Sequence, residues 1–414
     1  MKNEQLKDIL LLQNKSKPTE SFVNRDLLSE LNKFKNTSFV KIISGIRRSG
    51  KSTVLQQIRS DNDYYVNFDD ERFFDFTVND FQRMYELLVE LFGRKKTFLF
   101  DEIQNISGWE RFVRRLHNEG LNVFVTGSNA SMLSRELGTH LTGRNISFEL
   151  FPFSFNEFLI YKGREISNLT HLTSIEKSEI KKIFFEYFQQ GGFPEFLNTE
   201  KDEYLINLYE NILYRDIIAR YNLKSERPIK LTAHFAASNI GKEISFNKIR
   251  KLTGLSSATT IKEYFQYMEN SYLLFLLPRY NYSLKKQIYS NKKVYFIDSK
   301  LPSLIGFRFS EDKGRILENI VFLELKRRKY DIYFHREKQE CDFILQKQST
   351  IEQAIQVTWT LDEHNYKREI SGLIEALKMY QIKNGLILTY DQEDKFKEED
   401  YEISLVPVWK WLLQ

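Results

Sequence analysis

The segment that most constrains this chain is residues 45–53, which read Gly-Ile-Arg-Arg-Ser-Gly-Lys-Ser-Thr. A glycine, four variable residues and then Gly-Lys-Ser is the pattern of a phosphate-binding loop. Its glycines let the backbone fold around an anion, and the helix that follows presents its positive N-terminal end to that anion. The apolar run 39–43 predicts the strand before the loop, and the helically spaced apolar residues of 54–58 predict the helix after it.

The loop residues have distinct predicted roles. Lys51 reaches the β- and γ-phosphates of a nucleoside triphosphate, while Ser52 offers its hydroxyl to Mg²⁺ and Thr53 lies one step further into the helix. The predicted nucleotide-binding residues are Gly45, Ile46, Arg47, Arg48, Ser49, Gly50, Lys51, Ser52 and Thr53. Arg47 and Arg48 either face outward or help to clamp an anion.

A second strand-like segment, 96–100, ends in the acids Asp101 and Glu102. We predict that Asp101 holds Mg²⁺ directly or through water and that Glu102 orients and polarises the attacking water. An isolated Asp-Glu pair begins a solvated loop just as often. The strand and helix between this pair and the phosphate loop favour the catalytic interpretation.

Two further polar positions are candidates for the same site. The strand-like segment 121–129 places Ser128 or Asn129 near a γ-phosphate or a water, although this tip would serve equally as the cap of a helix over 130–137. Arg144 is a candidate arginine finger acting in trans, with a surface ion pair as the alternative. The candidate catalytic residues are therefore Glu102, Lys51, Ser128 and Arg144, and the candidate metal ligands are Ser52 and Asp101.

Composition sets broad limits on function. The net charge of +5 permits contact with nucleic acid without requiring it. Cys341 is the single cysteine, so an intrachain disulfide and a cysteine-type zinc site are excluded and a reducing compartment is expected. No apolar window approaches the length of a membrane span. We therefore expect a cytoplasmic protein with no membrane partner.

A chain of 414 residues exceeds one typical core, so several domains are expected. Changes in pattern divide it into a helical lead-in (1–36), a nucleotide-binding core (37–153), a helical lid (154–228), a module at 229–300 and a C-terminal domain (301–414). Within the lid, Arg215 or Arg220 would reach the phosphates, or pair with Asp216 instead.

The module at 229–300 has the pattern of a winged helix. Helices at 246–252 and 257–269 flank a Thr-Gly-Leu break, two apolar strands follow, and the pairs 285–286 and 292–293 place lysines in the wing. The candidate contacts to double-stranded DNA are Ser257, Thr259, Thr260 and Lys262. Glu263 and Glu269 on the same helix favour the alternative that this module only packs between its neighbours.

Taken together, the motifs resemble those of prokaryotic AAA-type P-loop ATPases of the branch that carries a C-terminal restriction-endonuclease-like domain of unassigned function. The segments that carry this resemblance are 43–52, 101–104, 126–128, 151–155, 191–195 and 214–217. The resemblance covers nearly the whole chain. It implies an α/β protein with an AAA-like parallel-sheet core and helical lid, followed by a winged helix and an α/β endonuclease-like domain.

The resemblance to endonucleases places Glu318 on a helix, Asp342 on a strand, and Gln356 and Thr358 on a later strand. Active members carry an acid and a lysine at the last two places, where the acid binds metal and the lysine activates water. Glutamine is a far poorer metal ligand and threonine supplies no cation. We therefore interpret Glu318, Asp342 and Gln356 as a vestigial nuclease-like set and do not expect cleavage.

The function predicted from these features is Mg²⁺-dependent ATP binding and hydrolysis, coupled to DNA contact through the C-terminal half. Two alternatives stay open. One is a nucleotide-dependent switch or scaffold that binds a protein partner and turns over little ATP. The other is an ATP-regulated nuclease. A homo-oligomer is expected if Arg144 completes the site of a neighbouring subunit.

Overall fold

The computed structural model describes residues 1–15, 22–129, 143–166, 168–306 and 312–414. They form two compact units. The first contains Met1–Phe151 and Asn270–Tyr272, and the second contains Pro152–Glu269 and Leu273–Gln414. The finer division predicted from the sequence stays a prediction, and the helix predicted at 130–137 lies outside the described residues.

The first unit is built on five parallel strands. They are β1 (Val40–Ser44), β2 (Asp63–Asn67), β3 (Thr97–Asp101), β4 (Asn122–Gly127) and β5 (Asn145–Glu149), in the order β2-β3-β4-β1-β5. The strands predicted from apolar runs are thereby confirmed. Because parallel strands all end at one edge, the phosphate loop after β1 and the acids after β3 share that edge, with the end of β4 between them.

Helices cover both faces of this sheet. Successive strand residues point to opposite faces, so Ile42 and Ile43 of β1 enter different apolar cores. The Ile42 core includes residues of α1 (Asn3–Lys15), α4 (Phe81–Phe92) and α5 (Trp109–Asn118), and the Ile43 core includes residues of α2 (Leu27–Phe34) and α3 (Lys51–Ile58). Both faces are buried, which explains the continuous apolar runs in the sequence.

Helix α1 belongs to the core, which differs from the separate lead-in predicted from the sequence. Leu6, Ile9 and Leu10 are buried against the sheet. Beyond them, the side-chain amide of Gln13 donates to Asn67 O (3.1 Å) and accepts from Asn67 N (2.9 Å). Asn14 makes the same pair of bonds to Tyr65 (2.9 and 3.0 Å). These two amides bond the exposed backbone of β2, which is an edge strand of the sheet.

The second unit begins with the helices of the predicted lid. They are α6 (Phe155–Tyr161), α7 (Ser174–Gln190), α8 (Pro194–Thr199) and α9 (Asp202–Asn211), which continues into a π-helical turn, Ile212–Ala219. The helical character of this segment is confirmed. Its position over a nucleotide stays a prediction.

Four helices and three strands follow along residues 227–296. They are α10 (Arg227–Ser238), β6 (Glu243–Ile244), α11 (Phe246–Thr253), α12 (Ala258–Asn270), β7 (Leu274–Pro278) and β8 (Lys292–Phe296), with a short helix α13 (Leu284–Tyr289) between β7 and β8. The sheet order is β6-β8-β7. The predicted helix pair and the two predicted strands are therefore present.

One detail of this module was predicted wrongly. Lys292 and Lys293 were placed in an exposed wing, but both lie in β8, where Lys293 is paired with Glu243 of β6 and Leu277 of β7. The alternation of the strand turns Lys293 inward, and its side chain is 1% exposed.

The remainder of the second unit contains a six-stranded mixed sheet. After α14 (Leu301–Ile305) and α15 (Lys313–Arg327) come β9 (Asp331–Arg336), β10 (Glu340–Lys347), β11 (Thr350–Val357), α16 (Tyr366–Tyr380), β12 (Asn384–Thr389), β13 (Asp394–Glu398), β14 (Tyr401–Pro407) and α17 (Val408–Trp411). The sheet order is β13-β14-β12-β11-β10-β9. Helix α16 connects the parallel strands β11 and β12 and approaches β10 closely, because a Cβ on Gly372 would lie 1.9 Å from Glu340 O.

Leu10 and Leu12 form a matched pair for testing the role of α1. Leu10 is fully buried and Leu12 is 56% exposed. Leu10→Ala should lower the free energy of unfolding of the first unit by about 2 to 5 kcal/mol, because it leaves a cavity in the core. Leu12→Ala should change it by less than about 0.5 kcal/mol. Calorimetric unfolding of both variants measures the difference, and equally small effects would contradict a core position for α1.

Candidate nucleotide-binding site

The backbone of the phosphate loop requires both of its glycines. A Cβ on Gly45 would lie 2.2 Å from Leu150 O, so no side chain fits there. Gly50 has φ +97°, in the left-handed region that favours glycine. Helix α3 begins directly afterwards at Lys51, with Ser52 exposed and Thr53 half-buried in its first turn. The loop therefore delivers the N-terminal end of a helix to the carboxyl edge of the sheet.

Arg25 binds the backbone of this loop, a role that the sequence did not predict. Its buried guanidinium donates from Nη1 to Ser49 O (2.7 Å) and from Nη2 to Phe151 O (2.6 Å). In a trans peptide the carbonyl and the following N–H point in opposite directions. Because Ser49 O is turned toward Arg25, the N–H of Gly50 points away from Arg25. A lone arginine 20 residues before the loop carries no spacing signal, so only the fold could reveal it.

Lys51 is buried at the base of the loop and interacts with the loop itself and with one acid. Its ammonium donates to Gly45 O (3.1 Å) and Ile46 O (3.0 Å) and lies 3.3 Å from Glu102 Oε1. Burial acts to raise the pKa of Glu102, but Lys51, the amide of Gln104 and Arg47 outweigh it and hold that pKa below its usual value. Glu102 is therefore kept as a carboxylate facing the loop.

Asp101 is completely buried, and its hydrogen-bond partners in the described part of the chain are hydroxyl groups. They belong to Tyr65 (3.0 Å to Oδ2), Thr126 and Ser52. Burial and the nearby charge of Glu102 raise the pKa of Asp101, and the three hydroxyls only partly offset this. A buried carboxylate with hydroxyl partners and a raised pKa fits a position where a cation would bind. Ser52 and Asp101 are thus placed together, as predicted ligands of one metal should be.

The end of β4 connects the two acids to the loop. Thr126 Oγ1 accepts from Glu102 N (2.8 Å) and donates to Asp101, so this one hydroxyl orients both acids. Glu102 itself has φ +49°, a conformation uncommon outside glycine that is found at functional sites. Ser128, two residues beyond Thr126, is buried, and its Oγ has no hydrogen-bond partner within the described ranges. An unpaired buried hydroxyl at this edge matches the predicted place for a phosphate or water contact.

Arg144 is separated from these residues. It immediately precedes β5, and its backbone O accepts from Val40 N at the start of β1. In a parallel sheet this is the edge opposite the phosphate loop. Its exposed guanidinium donates to Asn118 Oδ1 (3.0 Å). Arg144 is therefore not part of its own chain's site, and the trans role stays a prediction.

The two loop arginines are placed differently. Arg47 is half-buried and acts electrostatically on Glu102, whereas Arg48 is exposed with φ +66°. In the second unit, Arg220 lies 3.9 Å from Asp216, which favours the ion-pair alternative for that residue.

The candidate DNA contacts lie at the start of α12. Thr259 and Lys262 are exposed, whereas Ser257 and Thr260 are half-buried. Ser257 Oγ accepts from Thr259 N (3.1 Å) and so caps this helix. Two of the four predicted residues are therefore fully available to a ligand.

The residues predicted to form a vestigial nuclease-like set meet at a cavity of about 470 Å³ in the second unit. Glu318, Asp342 and Gln356 all line it. Gln356 Oε1 accepts from Asp342 N (3.2 Å), and its Nε2 donates to Glu369 Oε2 (2.6 Å). Thr358 also lines the cavity, whereas Cys341 is buried in the apolar core of this sheet, where burial raises the pKa of its thiol.

A parallel sheet with a phosphate loop after β1 and an acid pair after β3 defines the first unit as a P-loop nucleotide-binding fold of the AAA type. Residues 37–159 match the family described as "AAA domain". Residues 181–306 and 313–411 match two families described as domains of unknown function, DUF8612 and DUF4143. No helix in the described ranges is both long and apolar enough to cross a membrane.

Relatives share nearly the full length of the chain. Uncharacterized protein MJ1544 of Methanocaldococcus jannaschii is 36% identical, over 94% of this chain and 91% of the relative. An uncharacterized protein of Haemophilus influenzae is 31% identical, over 96% of this chain and 100% of the relative. The chain belongs to the same family as these two relatives, and its residues 37–159 form the AAA domain.

Two solved structures are similar to parts of the chain. The Walker-type ATPase PABY2304 of Pyrococcus abyssi has a TM-score of 0.45 at 13% identity, covering 70% of this chain and 97% of its own. The signal transduction ATPase PH0952 of Pyrococcus horikoshii has a TM-score of 0.28 at 17% identity, covering 76% of this chain and 46% of its own.

Replacing Arg25 tests its role in positioning the loop. Arg25→Ala should weaken ATP binding by about 10-fold or more, because the Ser49 carbonyl loses its donor and the loop amides lose their fixed orientation. Titration with a fluorescent ATP analogue measures the affinity. Arg94→Ala removes an exposed arginine of the same unit and should have no effect. Unchanged affinity in a folded Arg25→Ala protein would contradict the positioning role.

Proposed function

We propose that this protein is a Mg²⁺-dependent ATPase that couples ATP turnover to contact with double-stranded DNA. The observation that carries the proposal is the convergence of Lys51, Ser52, Asp101 and Glu102 at one edge of the sheet, with Thr126 bonded to both acids. Phosphoryl transfer depends on positioning and charge neutralisation, which these residues supply.

Each residue has a defined task in this mechanism. The loop amides and Lys51 bind the β- and γ-phosphates, and Lys51 leaves the Gly45 and Ile46 carbonyls when phosphate oxygens replace them as acceptors. Ser52 and Asp101 would hold Mg²⁺, which would supply positive charge to neutralise the phosphates. Glu102 accepts a hydrogen bond from the attacking water and polarises it. The lowered pKa of Glu102 keeps it in the carboxylate form that this task requires.

Charge distribution supports DNA as the ligand of the second unit. Residues 229–300 contain twelve Lys and Arg and four Asp and Glu, a net +8, whereas the whole chain carries +5. The rest of the chain is therefore net −3. A basic excess concentrated in one module is the electrostatic signature of a nucleic-acid-binding surface. The order of helices and strands in this module supports a winged helix with α12 as the recognition helix.

The chain provides a route from α12 to the phosphate loop. The residues that end and directly follow α12, Asn270–Tyr272, belong to the first unit. Tyr272 has φ +59° and donates to Ser44 Oγ (2.7 Å), at the last residue of β1 before the loop.

A protein partner is the second candidate, and one surface favours it. Helix α13 contains no buried residue, and its Leu284, Ile288 and Tyr289 are exposed, as is Tyr282 before it. Leu284 and Ile288 are four residues apart and lie on one helical face. In this alternative the chain is a nucleotide-dependent switch or scaffold with low ATP turnover, and DNA does not stimulate the ATPase rate.

Replacing Glu102 separates binding from hydrolysis. Glu102→Gln should retain ATP binding and lower the hydrolysis rate by about 10²-fold or more, because a neutral amide polarises the attacking water far less than a carboxylate does. Steady-state phosphate release and a nucleotide titration measure the two properties. Glu119→Gln, at an exposed ion pair with Arg115, is the matched control and should match the original protein. Undiminished hydrolysis by Glu102→Gln would reject the assignment of Glu102.

Replacing Lys262 tests the DNA surface. Lys262→Glu should weaken binding to a duplex across all sequences and lower the salt dependence of binding by about one ion. Fluorescence anisotropy at several salt concentrations measures both quantities. Lys177→Glu reverses an exposed charge in the predicted lid and is the control. If neither variant changes DNA binding, or if DNA leaves the ATPase rate unchanged, the protein-partner alternative is favoured.

A further inference from the structure

The resemblance to restriction endonucleases implies a divalent metal held by the acids of the C-terminal domain. The structure shows which groups surround those acids. Lys293 Nζ lies 2.9 Å from Glu318 Oε1, 2.8 Å from Glu340 Oε1 and 2.8 Å from Asp342 Oδ1. These are hydrogen-bonding distances for an ammonium group. Three carboxylates from α15 and β10 thus surround one nitrogen that comes from β8.

The donor capacity of the Lys293 ammonium is fully used. An ammonium has three N–H donors and no acceptor, and three carboxylate oxygens receive them. Glu318 Oε1 also accepts from Tyr295 OH, and Asp342 Oδ2 accepts from Val357 N (2.9 Å). Glu340 Oε2 accepts from Arg336 Nη1 (2.8 Å). The lysine side chain is 1% exposed, so the position between the acids is already filled by a positive charge.

The charges of the cluster are consistent with a permanently bound ammonium. Burial acts to lower the pKa of Lys293, but Asp342 and Glu318 outweigh it and raise that pKa well above its usual value. Burial and Asp342 raise the pKa of Glu318 to about 7. The lysine is therefore held in its charged form between these acids.

The residue that endonucleases use as a further metal ligand is also engaged elsewhere. Gln356 accepts from the backbone of Asp342 and donates to Glu369, so its amide links two acids instead of facing a metal. Within the described ranges, no group of three or more His, Cys, Asp or Glu side chains is arranged to hold a metal ion. The residues present do not fit the metal that the resemblance implies.

We infer that Lys293 is the resident cation of this acid cluster and replaces the divalent metal of an endonuclease-like site. The lysine comes from the three-stranded sheet and its acids come from α15 and β10, so the same ion pairs fasten the predicted DNA-binding module to the C-terminal domain. The cavity above the cluster then holds no metal-activated water. The second unit contacts DNA without cutting it.

Counting bound Mn²⁺ tests this inference without ATP or DNA, so its outcome is independent of the proposed ATPase function. Asp101→Asn serves as the background protein, because it removes the metal ligand of the first unit. This protein should bind no Mn²⁺ at up to about millimolar concentrations, as measured by electron paramagnetic resonance and calorimetry. A bound Mn²⁺ that is lost on adding Asp342→Asn or Glu318→Gln would overturn the inference.

Removing the lysine should create the metal site that it replaces. In the Asp101→Asn background, Lys293→Ala should bind one Mn²⁺ per chain, and adding Asp342→Asn should abolish that binding. Lys292→Ala is the matched control and should bind none. A folded Lys293→Ala protein that binds no Mn²⁺ would contradict the role of Lys293 as the resident cation. If Lys293→Ala does not fold, the Mn²⁺ measurement on the Asp101→Asn protein, which keeps Lys293, still decides the question.

Plasmid cleavage provides a second, functional readout. The original protein with Mn²⁺ should leave supercoiled DNA intact over hours. Nicking that disappears in Asp342→Asn would overturn the inference. Nicking that persists in Asp342→Asn comes from another protein, and the predicted absence of Asp342-dependent cleavage then still holds.

Discussion

The first unit is organised around the hydrogen bonds to the buried carboxylate of Asp101. Three hydroxyl groups from three elements, Tyr65 of β2, Ser52 of α3 and Thr126 of β4, point to it at the carboxyl edge of the sheet. Hydroxyls leave the negative charge without a compensating cation, so this carboxylate is poised for one. The order β2-β3-β4-β1 makes the arrangement possible, because it brings the ends of these strands to a single edge.

The two units treat buried acids in opposite ways. Asp101 in the first unit has hydroxyl partners and fits a metal, whereas Asp342 and Glu318 in the second unit share the ammonium of Lys293. A buried charge is tolerated only when another charge or hydrogen bonds compensate it. An internal lysine permanently compensates the charge of its acids, which supports a structural role for the acids of the second unit. Hydroxyl partners leave room for an exchangeable ion, which supports a chemical role for Asp101. This contrast agrees with our proposal that the first unit hydrolyses ATP and that the second unit contacts DNA without cutting it.

Much of the fold was predictable, and the failures share one cause. The strands of the first unit and the helix pair 246–253 and 258–270 follow from apolar periodicity and turn residues, whereas the α/β character of the C-terminal domain was implied by the family resemblance. Helix α1 was taken for a lead-in because its apolar residues indicate that the helix packs against something, but they do not identify the segment that it packs against. Lys293 was assigned to a wing because a pair of lysines ordinarily lies in solvent. In both cases the partners lie far away in the sequence.

The sequence by itself determined the phosphate loop, the acid pair and the glycines that the loop geometry requires, because these depend on contiguous residues and local backbone conformation. Tertiary structure alone decided that Arg25 orients the loop, that Thr126 joins both acids, that Arg144 lies at the opposite edge, and that Lys293 fills the acid cluster. Each of these four findings depends on strand order and on the inward or outward direction of one side chain. Strand order and side-chain direction are fixed only when distant segments pack together.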